Sequence, residues 1–308
     1  MLDVLTVTLP VFLIIGAGYV AVWRKVFSQG QVDGLMMFTQ RFAIPCLLFL
    51  AMARLDLSEG FDWRMLTAYY SGSLVSFGAG VIGTLLWLKR GIEDAVAVGF
   101  AAMFANTVLL GLPIAARAYG EDSLAPNYTI IAFNAAFCYF IGISAMEAVR
   151  AGGTGFLGGM KTVARRMSTN SLMIGVAAGL LVNLTGLPLP GPISEALTLI
   201  ASAALPAALF GLGGVLVQYR PEGDARGIIL CSGIALILHP AWTWGIGRML
   251  GLDQAAFRAA VLTAAMAPGV NSYLFAAMHG RAVRISASSV LIGTAVSVLT
   301  VSGWLLLL

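Results

Sequence analysis

Apolar runs of about 18 or more residues, each long enough to cross a bilayer, recur along the whole chain. Such a chain has few ways to fold. In hydrocarbon every backbone N–H and C=O needs a protein partner, so only helices and closed barrels span. A barrel would show short segments of alternating polarity, and the runs here are long and continuously apolar. Composition agrees: of 308 residues 59% are hydrophobic and 10% charged, with a mean hydropathy of +0.91, where a soluble domain carries about 25% charge. The chain reads as an all-α, multi-pass membrane protein.

Ten spans are expected, at 4–23, 34–53, 64–88, 93–118, 126–149, 170–189, 194–218, 226–248, 254–279 and 285–308. The first is a retained span rather than a signal peptide, because Asp3 precedes it and Arg24-Lys25 follow it. Of the 18 Lys and Arg residues, all but Arg54, Arg64, Arg117, Arg248 and Arg258 fall on one side of this arrangement. Positive charge marks the cytoplasmic side. Both termini are therefore expected outside the cytoplasm, with 151–169 as a cytoplasmic connecting loop in the inner (plasma) membrane of a cell. The net charge of +4 needs no nucleic-acid partner, since the basic residues sit mainly in these connections.

The two halves echo each other. Ala43-Ile-Pro-Cys-Leu-Leu-Phe49 matches Ala204-Leu-Pro-Ala-Ala-Leu-Phe210 at an offset of 161, and Ser71-Gly72 meets Ser232-Gly233 at the same offset. A shift of 160 lays Ala95–Gly120 over Ala255–Gly280. An odd number of spans per half makes the second copy inverted, so 1–150 and 170–308 read as two inverted five-helix repeats. Inverted repeats typify secondary transporters.

Span four contains Phe104-Ala-Asn-Thr-Val-Leu-Leu-Gly-Leu-Pro-Ile114, and span nine contains Ala267-Pro-Gly-Val-Asn-Ser-Tyr273 at the corresponding depth. Gly and Pro this close interrupt the helical ladder. Either break alone reads equally as a tolerated kink. As a matched pair they point to a transport site. Pro113 suits the first turn of a new half-helix, while Asn271 and Ser272 carry side-chain oxygens suited to capping the next. Two half-helix N-termini aimed at mid-membrane would favour an anion without any formal positive charge. Asn106, Thr107, Gly111, Pro113, Pro268, Gly269, Asn271 and Ser272 are the expected substrate-binding set.

Few other polar groups lie in the spans. His239, before Pro240, reads as a proton relay or as a satisfied histidine at a kink. Asn134 and Tyr139 are candidate cavity residues, and Asn183 is expected to bond helix to helix. Cys46, Cys138 and Cys231 have neither metal-ligand nor disulfide spacing. His239 and His279 form no metalloprotease motif, and no P-loop is present. No nucleophile and base pair up at one depth. An enzyme, a metal and a cofactor are accordingly not expected.

The Asn-Thr-x-x-x-Gly-x-Pro element at 106–113, the Pro-Gly-x-Asn element at 268–271 and the ten spans resemble the auxin efflux carrier family in its bacterial branch. That resemblance implies the fold of bile acid/sodium symporters and sodium/proton antiporters, with spans four and nine broken and crossing at their unwound centres. It implies a scaffold of spans one, two, six and seven, kinked at Pro45 and Pro206. It also implies transport of small organic anions such as malonate or malate, with Asn106, Pro113, Pro268 and Asn271 at the crossing. Two features depart from the family pattern: Val108 stands where glycine is often found, and the long central hydrophilic loop of the plant carriers is missing. The expected partners are an organic anion and the lipid bilayer, with a homodimer compatible. A sodium- or proton-coupled symporter of a bile-acid-like or other organic solute is the alternative.

Overall fold

The computed structural model describes residues 2–55, 62–150, 169–219 and 224–308, and among these residues the protein contains helices and no strand. In chain order the helices are α1 (Leu2–Trp23), α2 (Gln29–Phe38), α3 (Ile44–Ala53), α4 (Trp63–Leu86) and α5 (Ile92–Met103). Then come α6 (Leu112–Tyr119), α7 (Ala125–Arg150), α8 (Ser171–Thr185), α9 (Gly191–Ser202) and α10 (Ala204–Leu216). The last five are α11 (Ala225–Gly233), α12 (His239–Met249), α13 (Gln254–Ala264), α14 (Val270–His279) and α15 (Val283–Leu307). Seven stretches within this set are long and apolar enough to cross a membrane. The protein is a multi-pass membrane protein. The expected spans 93–118 and 254–279 are each two shorter helices, and span 170–189 is the 15-residue α8. Nearly all of the expected 151–169 loop lies outside the described residues.

Span two starts earlier than its hydropathy suggests. Ser28 and Gln31 form a reciprocal capping box, with Gln31 N–H donating to Ser28 Oγ and Ser28 N–H to Gln31 Oε1. This anchors the helix start at Gln29, in a stretch too polar to register as a span.

A recurring device shapes the long helices. Three π-turns, Thr39–Ala43, Thr107–Gly111 and Ile234–Leu238, each end two residues before a proline: Pro45, Pro113 and Pro240. In each, the residue just ahead of the proline (Ile44, Leu112 or His239) donates its N–H five residues back. Proline offers no N–H and its ring collides with the carbonyl four residues earlier, so the turn widens instead of breaking. Around Pro240 a side chain takes up the slack: Trp304 Nε1 donates to the Leu236 carbonyl at 3.0 Å.

By its internal contacts the chain divides into two compact units. One gathers the described residues of 10–61 and 164–218, which carry most of α1 together with α2, α3 and α8 to α10. These are the spans that the family resemblance assigns to a scaffold. The other unit gathers the described residues of 1–9, 62–163 and 219–308.

Within the first unit, glycine decides how close helices lie. A Cβ on Gly18 would collide with the Phe210 carbonyl, and one on Gly213 with the Ile15 carbonyl, so α1 and α10 touch backbone to backbone. Gly175 and Gly179, four apart on α8, meet the carbonyls of Pro45 and Phe49 on α3 in the same way. Without a hydrophobic effect between helices in lipid, such close approach supplies the packing energy. Asn183 adds the expected helix-to-helix bond: its Nδ2 donates to the carbonyls of Met52 (3.0 Å) and Leu55 (2.7 Å). These acceptors lie in the last turn of α3 and just beyond it, where carbonyls lack a full set of intrahelical partners.

Within the second unit, α4 packs on α5 through Gly80 and Gly99, where a Cβ on Gly80 would lie 2.7 Å from the Gly99 Cα. Glu93, at the start of α5, pairs with Arg150 at the end of α7 and with Arg281 after α14, each at 3.0 Å. Arg150 also donates to the His279 carbonyl at 2.8 Å. The cluster is part-exposed, so it holds helix ends in register more than it stabilises the unit.

Candidate anion site at two paired helix breaks

The site lies wholly in the second unit. Helix α5 stops at Met103, and the next three residues leave helical geometry. Phe104 (φ −86, ψ 83) and Asn106 (φ −77, ψ 67) each centre a tight turn, closed by Ala105 N–H to Met103 O (3.2 Å) and Thr107 N–H to Ala105 O (2.9 Å). These are inverse γ-turns. The second break runs from Ala265 to Gly269 between α13 and α14.

The two breaks satisfy each other. Asn106 N–H donates to Ala267 O (2.9 Å) and Gly269 N–H to Phe104 O (2.8 Å), with Ala105 and Pro268 paired antiparallel between them. Unwound backbone inside a bilayer must find protein partners, and here each break is the partner of the other. Gly269 eases the approach, because a Cβ there would sit 3.3 Å from the Phe104 ring, which would have to give slightly, and 3.4 Å from the Asn106 Cα. Gly111 serves similarly against Met266, at 3.2 Å.

Two starting points differ from expectation. The half-helix after the first break opens at Thr107, not at Pro113. Asn106 is its cap, accepting Leu109 N–H on Oδ1 at 3.2 Å, and Pro113 sits further along, absorbed by the π-turn. After the second break Gly269 holds the cap position, with no side-chain bond, so Asn271 and Ser272 cap nothing. They occupy the first turn instead, which frees their side chains for other partners.

Those side chains decide what the site offers. Asn106 is 5% exposed, and with Oδ1 engaged its Nδ2 is buried without a partner. Ser272 is fully buried and its Oγ has no partner either. Asn271 Oδ1 accepts the Tyr139 hydroxyl at 3.4 Å. Thr107 is buried at the N-terminal turn. Of the first-turn N–H groups, those of Thr107, Leu109 and Ser272 are already bonded. The donors left beside the paired breaks are therefore the Asn106 amide, the Ser272 hydroxyl and the remaining first-turn N–H groups. Neither break carries an ionisable side chain.

Asn134 and His239 belong to a different neighbourhood. Both are buried on Tyr69: its hydroxyl donates to Asn134 Oδ1 (3.2 Å), and its carbonyl lies 3.4 Å from His239 Nε2. Ser73 Oγ is 3.3 Å from the same nitrogen, while His239 Nδ1 is buried and unpaired. Among the described residues neither side chain bonds to the paired breaks. Of the three residues grouped as cavity or relay candidates, the fold brings only Tyr139 to the site. Sequence reasoning missed its bond to Asn271; the aromatic residue in span five was visible, but its partner was not.

A family model described as "Membrane transport protein" matches residues 3–155 and 156–305. The chain belongs to this family. Over 314 aligned residues it is 27% identical to the "Putative malonate transporter" of Rhizobium meliloti (strain 1021), covering 100% of this chain and 97% of that protein. It is 24% identical to an "Uncharacterized transporter" of Methanothermobacter thermautotrophicus, over 96% of this chain and 95% of that protein. It is 23% identical to "Auxin efflux carrier component 5" of Arabidopsis thaliana, over 94% of this chain and 92% of that protein. The resemblance to auxin efflux carriers read from the two broken spans thus extends over nearly the full length of these relatives.

Proposed function

We propose that this family member is a secondary transporter of small organic anions, a mono- or dicarboxylate such as malonate or malate, working by alternating access at the paired breaks. The reading rests on the donor-rich meeting of two half-helix N-termini, with Asn106 Nδ2 and Ser272 Oγ buried and unpaired. A carboxylate supplies the missing acceptors, and helix-end dipoles favour its charge. Pro113, Pro268, Gly111 and Gly269 shape the backbone, and Asn106, Thr107, Asn271 and Ser272 contact substrate. The decisive experiment is uptake of radiolabelled organic acids by proteoliposomes. A carrier takes up labelled malonate or malate faster when unlabelled acid is trapped inside, whereas a channel shows no such trans-stimulation.

No Asp or Glu lies in either break, and hard cations favour carboxylate oxygens. Replacing external sodium with choline is therefore expected to leave uptake within about twofold; a steep, saturable sodium dependence would favour the coupled symporter instead. Topology supplies another expected result. Reporters fused at either terminus read out as extracytoplasmic, and a tag inserted within 151–169 reacts only from the cytoplasm. Termini found inside would reverse the orientation drawn from Lys and Arg.

A further inference from the structure

We propose that Tyr139 is a positioning residue that sets the polarity of the Asn271 amide, and thereby makes the site select an ionised carboxylate over a carboxamide. This rests on the anion-transport reading above and adds what enforces its charge preference. An asparagine amide is ambivalent: one end donates, the other accepts. A site lined with free asparagines would accept a carboxamide as readily as a carboxylate, by rotating the amide. In this protein each amide meets a donor at its oxygen: a backbone N–H, which can only donate, at Asn106, and the Tyr139 hydroxyl at Asn271. Asn106 Oδ1 is taken by Leu109 N–H, so the end left over is the N–H donor. Asn271 Oδ1 is taken by the Tyr139 hydroxyl.

The tyrosine is itself held in place. Its ring lies 5.4 Å from Phe100 at 49° and 5.9 Å from Phe104 at 68°. Phe100 in turn stacks on Phe275 with centroids 3.9 Å apart and planes at 10°. Phe104 belongs to the first break and Phe275 to the helix that follows the second, so the aromatic cluster fixes the hydroxyl relative to both. With both carbonyl ends occupied by protein donors, the amide N–H ends of Asn106 and Asn271 are what remains to meet a ligand. A carboxylate accepts from both, while a carboxamide sets its own NH2 against one of them and leaves polar groups unpaired.

The test compares malonate with malonamide, its diamide, which has no carboxylate left, as competitors of labelled malonate uptake into proteoliposomes. Tyr139→Phe keeps the ring and its neighbours and removes only the hydroxyl. The wild type is expected to prefer malonate by about tenfold or more, and Tyr139→Phe to compress that preference by about three- to tenfold, at unchanged thermal stability. In an Asn271→Ala background the same substitution should change nothing further, because its target is gone. A Tyr139→Phe protein that keeps the wild-type preference overturns this role, as does an effect that persists without Asn271. A wild type that neither binds nor transports malonate overturns the anion reading itself, a result distinguishable from the other two.

Discussion

Asn106→Ala lowers the apparent affinity for the transported carboxylate by about 10- to 150-fold while the protein still inserts and folds. The magnitude follows from a lost hydrogen bond to a charged ligand, worth about 1.5–3 kcal/mol. The substitution also removes a helix cap, because Oδ1 accepts Leu109 N–H; that alone costs about 1 kcal/mol of stability. Asn106→Asp separates the two effects. It keeps a side-chain oxygen for Leu109 but replaces the free donor with an acceptor, so binding should be lost while the cap survives. Thermal-shift titration reads both: substrate stabilises the wild type in proportion to occupancy and barely moves either variant. Variants that retain wild-type affinity would show that the paired breaks are structural and that the anion binds elsewhere.

Gly213→Ala destabilises the unit containing α1 and α10 by more than about 3 kcal/mol, the upper end of overpacking costs. One methyl group suffices because it would meet main chain, not a movable side chain: the Ile15 carbonyl, its carbon at 2.8 Å and the Tyr19 nitrogen at 2.8 Å. Gly16→Ala on the same α1 is the control, since nothing lies within 4 Å of a Cβ there. It should be neutral or stabilising by about 0.5–1 kcal/mol, as expected for Gly→Ala within a helix. Monodisperse yield and the midpoint of thermal unfolding in detergent distinguish the pair. Equal tolerance of both substitutions would mean that α1 and α10 do not pack backbone to backbone.

Much of the molecule was legible locally. Membrane residence follows from apolar runs interrupted by very little charge, and the two breaks from Pro and Gly, whose effects on the ladder act within four or five residues. Asn106 and Asn271 stood out because an amide in such a run needs a partner. What local reasoning misplaced was where each half-helix begins. Pro113 looked like a start signal, yet a π-turn absorbs it and Asn106 opens the segment. Gly175 and Gly179 carried a readable signal, two small residues four apart, for a tight helix pair.

The sequence by itself determined an all-helical membrane protein with two interrupted spans, because bilayer thickness and the missing proline N–H act on contiguous residues. Only the tertiary structure decided that the breaks bond to each other, that Asn134 and His239 gather on Tyr69, and that Tyr139 bonds Asn271. The physical reason is separation along the chain: the Tyr139–Asn271 bond spans 132 positions and the Tyr69–His239 contact 170. An unpaired amide advertises that it needs a partner, but which of its two ends is left for a ligand depends on which distant helix reaches it first.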